Sequence, residues 1–223
     1  MWNATSLSAW RLYVIVDKAA SQGRDLAWIT EQAIRGGADV IQLRDKHAPN
    51  RMVVEEAQRV LDVTKAARIP LLINDRADVA LAVGADGVHV GQEDLPVSVV
   101  RQIVGPERIV GKSTHSLEHA LAAEQEGADY LAVGPIYPTP TKPEYPSVGL
   151  KVIGQVKACV SIPIVTIGGI DHKTLPQVLA AGAECVAVVR AVCGAADVEH
   201  AARKLKQAII NFASQNLLTG GKT

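Results

Sequence analysis

The chain has 223 residues, 23 basic and 23 acidic side chains, and 48% apolar residues of which aromatics supply little. That length fits one domain better than two, and zero net charge excludes a nucleic-acid binder that works by neutralising phosphates. No apolar run approaches the roughly 20 residues that span a bilayer, and Met1 to Trp10 has no basic segment followed by an apolar one, so a soluble, cytoplasmic protein with no membrane partner is expected.

Residues 1–10 read as an irregular N-terminal extension. Short apolar runs then fall at 12–16, 40–44, 71–73, 87–90, 109–111, 130–133, 164–167 and 185–189. Between them lie segments with helical apolar spacing, such as Leu26, Ile29, Ala33 and Ile34, or Val53, Ala57, Val60 and Leu61. Eight alternating strand-helix units predict an α/β fold, a single (β/α)8 TIM barrel over 11–213, in preference to a doubly wound sheet. The pieces Gly37-Ala38-Asp39, Gly84-Ala85-Asp86, Gly127-Ala128-Asp129 and Gly182-Ala183-Glu184 recur before every second strand. Gly closes a helix in a left-handed conformation and Ala lets the next strand start close beneath it. Residues 214–223 are expected to be a disordered tail. Cys159, Cys185 and Cys193 show no metal-type pairing and read as small core residues.

In such a barrel the active site forms at the carboxyl ends of the strands. On the second strand, Gln42, Arg44 and Lys46 are two apart and share a face, with Ile41 and Leu43 on the other. A polar stripe inside a barrel needs a ligand or an internal ion pair, for instance Arg44 with Asp75. Two cations beside an amide fit a phosphate or diphosphate. Asp75 follows the third strand and Asp94 the fourth, so both reach one rim, where Mg2+ could join two carboxylates to phosphate oxygens; a helix cap is the plainer reading of Asp94. The fifth strand brings Ser113, Thr114 and His115. The sixth leads into a proline-stiffened loop that presents Thr139, Pro140, Thr141 and Lys142. Gly168-Gly169 follows the seventh strand, and Val189-Arg190 closes the eighth, where barrels commonly hold a phosphate. Mg2+ would bring Arg44, Lys46, Lys142, Asp75 and Asp94 close to charge balance with a diphosphate of about −3.

These strand ends resemble the thiamine-phosphate synthase family over the barrel from Leu12 to about Lys206. The matching motifs are Gln42-x-Arg44-x-Lys46, Asn74-Asp75, His89-Val90-Gly91-Gln92-Glu93-Asp94, Gly111-x-Ser113-x-His115, Gly134-Pro135-Ile136-Tyr137-Pro138-Thr139-x-Thr141-Lys142 and Ile167-Gly168-Gly169-Ile170. The resemblance implies two small-molecule substrates, 4-amino-2-methyl-5-(diphosphooxymethyl)pyrimidine and a thiazole-ethyl phosphate or its carboxylated form. It implies that Gln42, Leu43, Arg44, Asp45, Lys46, Asn74, Ser113 and Lys142 bind the pyrimidine diphosphate. Thr139, Pro140, Thr141, Gly169, Val189 and Arg190 would bind the thiazole phosphate, and Asp75 and Asp94 would hold Mg2+. Arg44, Lys46, Ser113 and Lys142 would be the catalytic set of a Mg-dependent transferase. Diphosphate would leave first, and the thiazole nitrogen would capture the resulting pyrimidine methyl cation.

Two positions depart from the family pattern. Arg190 stands where some members have Ser, and Lys112 is a charge where an apolar residue is expected. The related thiazole tautomerase carries His where this chain has Pro135 and lacks the metal acids. A non-catalytic thiazole-phosphate binding protein would not need those acids either. A sugar-phosphate isomerase would need a strand-end base, for which only His89 and His115 are placed. Oligomeric state is open, a homodimer included.

Overall fold

The computed structural model describes residues 4–219 apart from 144, with side chains from 6 to 215. Eight parallel strands form a closed barrel in chain order: β1 (Leu12–Asp17), β2 (Val40–Arg44), β3 (Leu71–Asn74), β4 (Gly87–Val90), β5 (Ile109–Thr114), β6 (Tyr130–Val133), β7 (Ile164–Ile167) and β8 (Cys185–Val188). β8 pairs back onto β1 through Leu12 opposite Val186. The helices are α1 (Ala4–Ser8), α2 (Leu26–Arg35), α3 (Asn50–Ala67), α4 (Ala77–Val83), α5 (Val97–Val104), α6 (Leu117–Gln125), α7 (Lys151–Lys157), α8 (Leu175–Ala180), α9 (Arg190–Cys193) and α10 (Val198–Thr219). β1, β3 and β5 run past the ends suggested by apolar content, through Asp17, Asn74 and Thr114. A ladder needs only backbone groups, so polar residues at the barrel mouth still pair.

Alternation along each strand sorts side chains into two cores. Leu12, Val14 and Val16 of β1, and Ile41 and Leu43 of β2, pack outward against the helices. Tyr13, Ile15, Val40, Leu72, Ile109, Tyr130, Val165 and Cys185 fill the barrel. A two-residue period makes this split automatic once one face is assigned.

Both ends of the chain correct the sequence-based expectation. From residue 4 onward the extension is not irregular, because Ala4–Ser8 is helical and Leu7 and Trp10 are buried in the interior cluster; residues 1–3 of that expectation lie outside the described residues. Trp10 meets Tyr13 and Tyr130 edge-on at centroid distances of 6.1 and 5.6 Å, which closes the lower end of the barrel. The tail expected from 214 is helical to Thr219; the remainder of that expectation, 220–223, lies outside the described residues. α10 anchors itself earlier through buried Ala202, Leu205 and Ile209.

The recurring Gly-Ala-Asp pieces have a physical origin. Gly37, Gly84, Gly127 and Gly182 all have positive φ, as a left-handed helix end requires. The acid has its own role. Asp39 accepts from Leu12 N, Asp86 from Leu71 N and Asp129 from Val110 N, each at 2.7–2.9 Å. Each carboxylate thus satisfies an amide in the first two residues of the preceding strand. In the fourth repeat Glu184 instead pairs with Lys157 at 2.5 Å. Cys185 and Cys193 are buried as expected, whereas Cys159 is exposed just beyond α7. Among the described residues no helix is long and apolar enough to cross a membrane.

Candidate active site

The upper end of the barrel opens into a cavity of about 400 Å³. Its walls include Gln42 and Arg44 from β2, Asn74 from β3, His89 from β4, Ser113 from β5, the Thr139–Lys142 segment, Gly168-Gly169, and Val189-Arg190. Most residues singled out from the sequence therefore meet in one place, although they come from seven strand ends. Five do not line it: Lys46, Asp75 and Asp94 lie next to this lining, and Leu43 and Asp45 turn elsewhere. Leu43 is 2% exposed and packs between barrel and helices, as its strand parity demands. Asp45 spends its carboxylate on the turn, accepting from His47 N and Ala48 N at 3.1 Å. Neither side chain enters the cavity.

The cations of β2 are held by acids from its two neighbours. Arg44 forms a buried ion pair with Asp17 at the end of β1, in place of the partner Asp75 considered from sequence. Lys46, at the rim, lies 3.1 Å from Asp75. Asp17 also accepts from Ala20 N at 2.9 Å, so its other oxygen is fixed toward Arg44. It adds a negative charge to the site that the simple charge balance omits.

Asp75 adopts a left-handed φ of 63°, uncommon for a non-glycine residue and a form of local strain found at functional positions. Its amide donates to His89 O at 2.7 Å, which holds the residue in this conformation. Burial and the adjacent Asp94 carboxylate raise the Asp75 pKa above the ordinary range. Asp94 is drawn back by accepting from Gly91 N at 2.6 Å. Two carboxylates forced together in a half-buried setting fit a divalent cation better than they fit each other. Among the described residues no cluster of three or more such ligands exists; two acids plus phosphate oxygens is the arrangement these residues could give Mg2+. Lys112 supports this loop from behind. Its buried Nζ donates to Gly91 O at 2.7 Å, which accounts for a charge the sequence left without a role.

Lys142 faces the same group from β6's long loop, with its ammonium 5.4 Å from the Tyr145 ring centroid. Burial, reinforced by the Lys46 cation, lowers its pKa. Gly91 is tight here: an added Cβ would stand 2.9 Å from Asp94 Oδ2 and 3.9 Å from Lys142 Nζ. On the opposite side Gly169 has φ +64°, and a Cβ there would meet Tyr137 Cβ at 2.7 Å and Pro138 O at 2.8 Å. Backbone N–H groups at such a turn can approach an anion closely. Arg190 is exposed at the start of α9 and lines the cavity beside them.

Sequence reasoning missed Asp17, Tyr13 and Tyr130, and gave His89 only a structural weight. Parity could have found all four. Asp17 ends the inward face Tyr13-Ile15-Asp17, Tyr130 begins β6 on its inward face, and His89 shares a face with Gly87 while Val88 and Val90 pack outward.

A family model described as thiamine monophosphate synthase matches residues 12–192. The chain is 49% identical over 210 residues to a thiamine-phosphate synthase of Chloroflexus aurantiacus, covering 94% of this chain and 96% of that protein. It is 46% identical over 204 residues to one from Shouchella clausii, covering 91% and 98%. The fold superposes on a thiamine phosphate pyrophosphorylase from Pyrococcus furiosus with TM-score 0.85 and 37% identity, over 92% of this chain and 98% of the other.

Proposed function

This chain belongs to the thiamine monophosphate synthase family, and from that premise we propose that it joins 4-amino-2-methyl-5-(diphosphooxymethyl)pyrimidine to 4-methyl-5-(2-phosphooxyethyl)thiazole, giving thiamine phosphate and diphosphate, or to the carboxylated form of that thiazole, with CO2 released as well. The observation that carries the reading is that Arg44 and Lys142 line one side of the cavity, next to the Lys46–Asp75 ion pair and Asp94, while Gly169 and Arg190 line the other. One side fits a diphosphate, and the other fits a single phosphate.

The residues fit a dissociative transfer. The bond between the pyrimidine methylene carbon and the diphosphate oxygen breaks with both electrons leaving on oxygen. The thiazole nitrogen then gives its lone pair to the methylene carbon. With the uncarboxylated thiazole no proton moves, and with the carboxylated form the ring carbon that loses CO2 takes up one proton, so the site needs alignment and charge stabilisation more than a base. His89, which lines the cavity with His115, engages both ring nitrogens with Tyr130 and Ser113 and is not free to act as one. Arg44, Lys46 and Lys142 stabilise the departing diphosphate, while Gln42, Asn74 and Ser113 hold the pyrimidine. Thr139, Pro140, Thr141, Gly169, Val189 and Arg190 hold the thiazole phosphate. Asp75 and Asp94 would hold Mg2+, which supplies further neutralisation of the leaving group. The three cysteines are free thiols, in keeping with a reducing, cytoplasmic setting.

The test is direct. Purified protein is mixed with both substrates and Mg2+, and the product is oxidised to fluorescent thiochrome. Signal that requires both substrates supports the reading; none from folded protein would sink it.

A further inference from the structure

A single hydrogen-bonded chain crosses the barrel beneath the cavity. Gln42 Nε2 donates to Tyr13 Oη at 2.6 Å, and Tyr13 Oη lies 3.0 Å from Tyr130 Oη. Tyr130 Oη lies 2.8 Å from His89 Nδ1, and His89 Nε2 lies 3.0 Å from Ser113 Oγ. Both ends of the chain, Gln42 and Ser113, line the cavity, whereas Tyr13 and Tyr130 are fully buried.

The donor at Gln42 fixes the direction of every other bond. Each phenol carries one proton, and burial pushes both phenol pKa values up, so neither is lost. Tyr13 accepts from the Gln42 amide and therefore donates to Tyr130. Tyr130 in turn donates to His89 Nδ1. His89 is buried with neutral hydroxyls on both nitrogens, where an unpaired cation is costly. A neutral imidazole that accepts at Nδ1 carries its proton on Nε2. It therefore donates to Ser113 Oγ, whose own proton is left for the cavity. At the other end, one N–H of the Gln42 amide is spent on Tyr13, which fixes the amide's orientation and leaves its oxygen as an acceptor.

We propose that Tyr13, Tyr130 and His89 are positioning residues that set the polarity of the pyrimidine pocket, an acceptor at Gln42 and a donor at Ser113, and so select an amino-pyrimidine over its oxo counterpart. This rests on the synthase reading above. A 4-aminopyrimidine offers an N–H donor beside a ring-nitrogen acceptor. A 4-oxopyrimidine offers a carbonyl acceptor beside a ring N–H donor. The oxo form would set acceptor against acceptor and donor against donor. Sites that hydrogen-bond a ligand's polar groups reject the mismatched analogue because buried partners are left unpaired.

The experiment compares the KM of the amino substrate with the Ki of the 4-oxo analogue, its diphosphate retained, as a competitive inhibitor of thiochrome-detected turnover. The wild type is expected to favour the amino form by about 10- to 100-fold. In Tyr130→Phe the imidazole loses the donor that fixes its tautomer, and Ser113 can become an acceptor. In Tyr13→Phe the Gln42 amide can turn over. Either variant should shrink the preference by about tenfold while the KM for the thiazole phosphate stays near wild type, a split that general loosening of the barrel would not give. A wild-type ratio near one overturns the proposal, whether or not the variants fold. So does an unchanged ratio in a variant with a cooperative thermal transition. Absence of wild-type turnover with the amino substrate defeats the synthase reading itself, whereas turnover without selectivity defeats only this inference.

Discussion

Asp17 and Arg44 face each other across adjacent strand ends as an ion pair whose side chains are 3% and 13% exposed. Removing one partner of such a pair strands the other charge in a poorly hydrated place. Asp17→Asn keeps an oxygen for Ala20 N and removes only the charge. It is expected to lower stability by about 3 kcal/mol in urea unfolding and to raise the KM for the pyrimidine diphosphate as Arg44 loses its fixed position. Unchanged values of both would remove Asp17 from the site.

Lys46 ties the same strand to Asp75, and Lys142 approaches from above. Asp75→Ala and Lys142→Ala are each expected to reduce kcat by about 100-fold or more, as for loss of a main electrostatic stabiliser. Asp75→Ala should in addition shift the Mg2+ concentration for half-maximal rate upward, and Lys142→Ala should not. Steady-state rates across a Mg2+ titration separate the two.

Gly169 is predicted to tolerate no side chain. Alanine there combines an unfavourable positive φ with contacts of 2.7 and 2.8 Å to Tyr137 and Pro138. The loop after β7 must shift, so Gly169→Ala should raise the KM for the thiazole phosphate by about tenfold or more with little change for the pyrimidine. Equal effects on both substrates would count against a separate phosphate subsite there.

His89 gives a pH signature in stability. Its folded pKa of about 3 lies below the ordinary 6.5, so the unfolded chain takes up this proton first as pH falls. The contribution is complete above pH 6.5 and is lost as pH falls toward 3. Between pH 6.5 and 5, wild-type unfolding free energy should fall more steeply than that of His89→Gln, by up to about 1.4 kcal/mol per pH unit. Parallel slopes from urea melts at several pH values would show that His89 is not held neutral.

Much of this protein was legible along the chain because its periods are local. Alternation within a strand announced that Gln42 and Arg44 face inward while Ile41 packs outward, and the repeated Gly-Ala-Asp announced where helices stop. Leu43 follows the same rule, and its assignment to the substrate site came from motif position against that rule. Helix α1 and the end of α10 were hidden for another reason: short or polar segments carry weak periodicity, and Leu7 and Trp10 gain their burial only from the barrel floor they cover. What tertiary structure alone decided is partnership. Tyr13 and Tyr130 are 117 residues apart and on strands that are not neighbours in the sheet, yet their hydroxyls are 3.0 Å apart. Closure of the barrel places opposite strands face to face, and no local period encodes which side chain will be met across that interior.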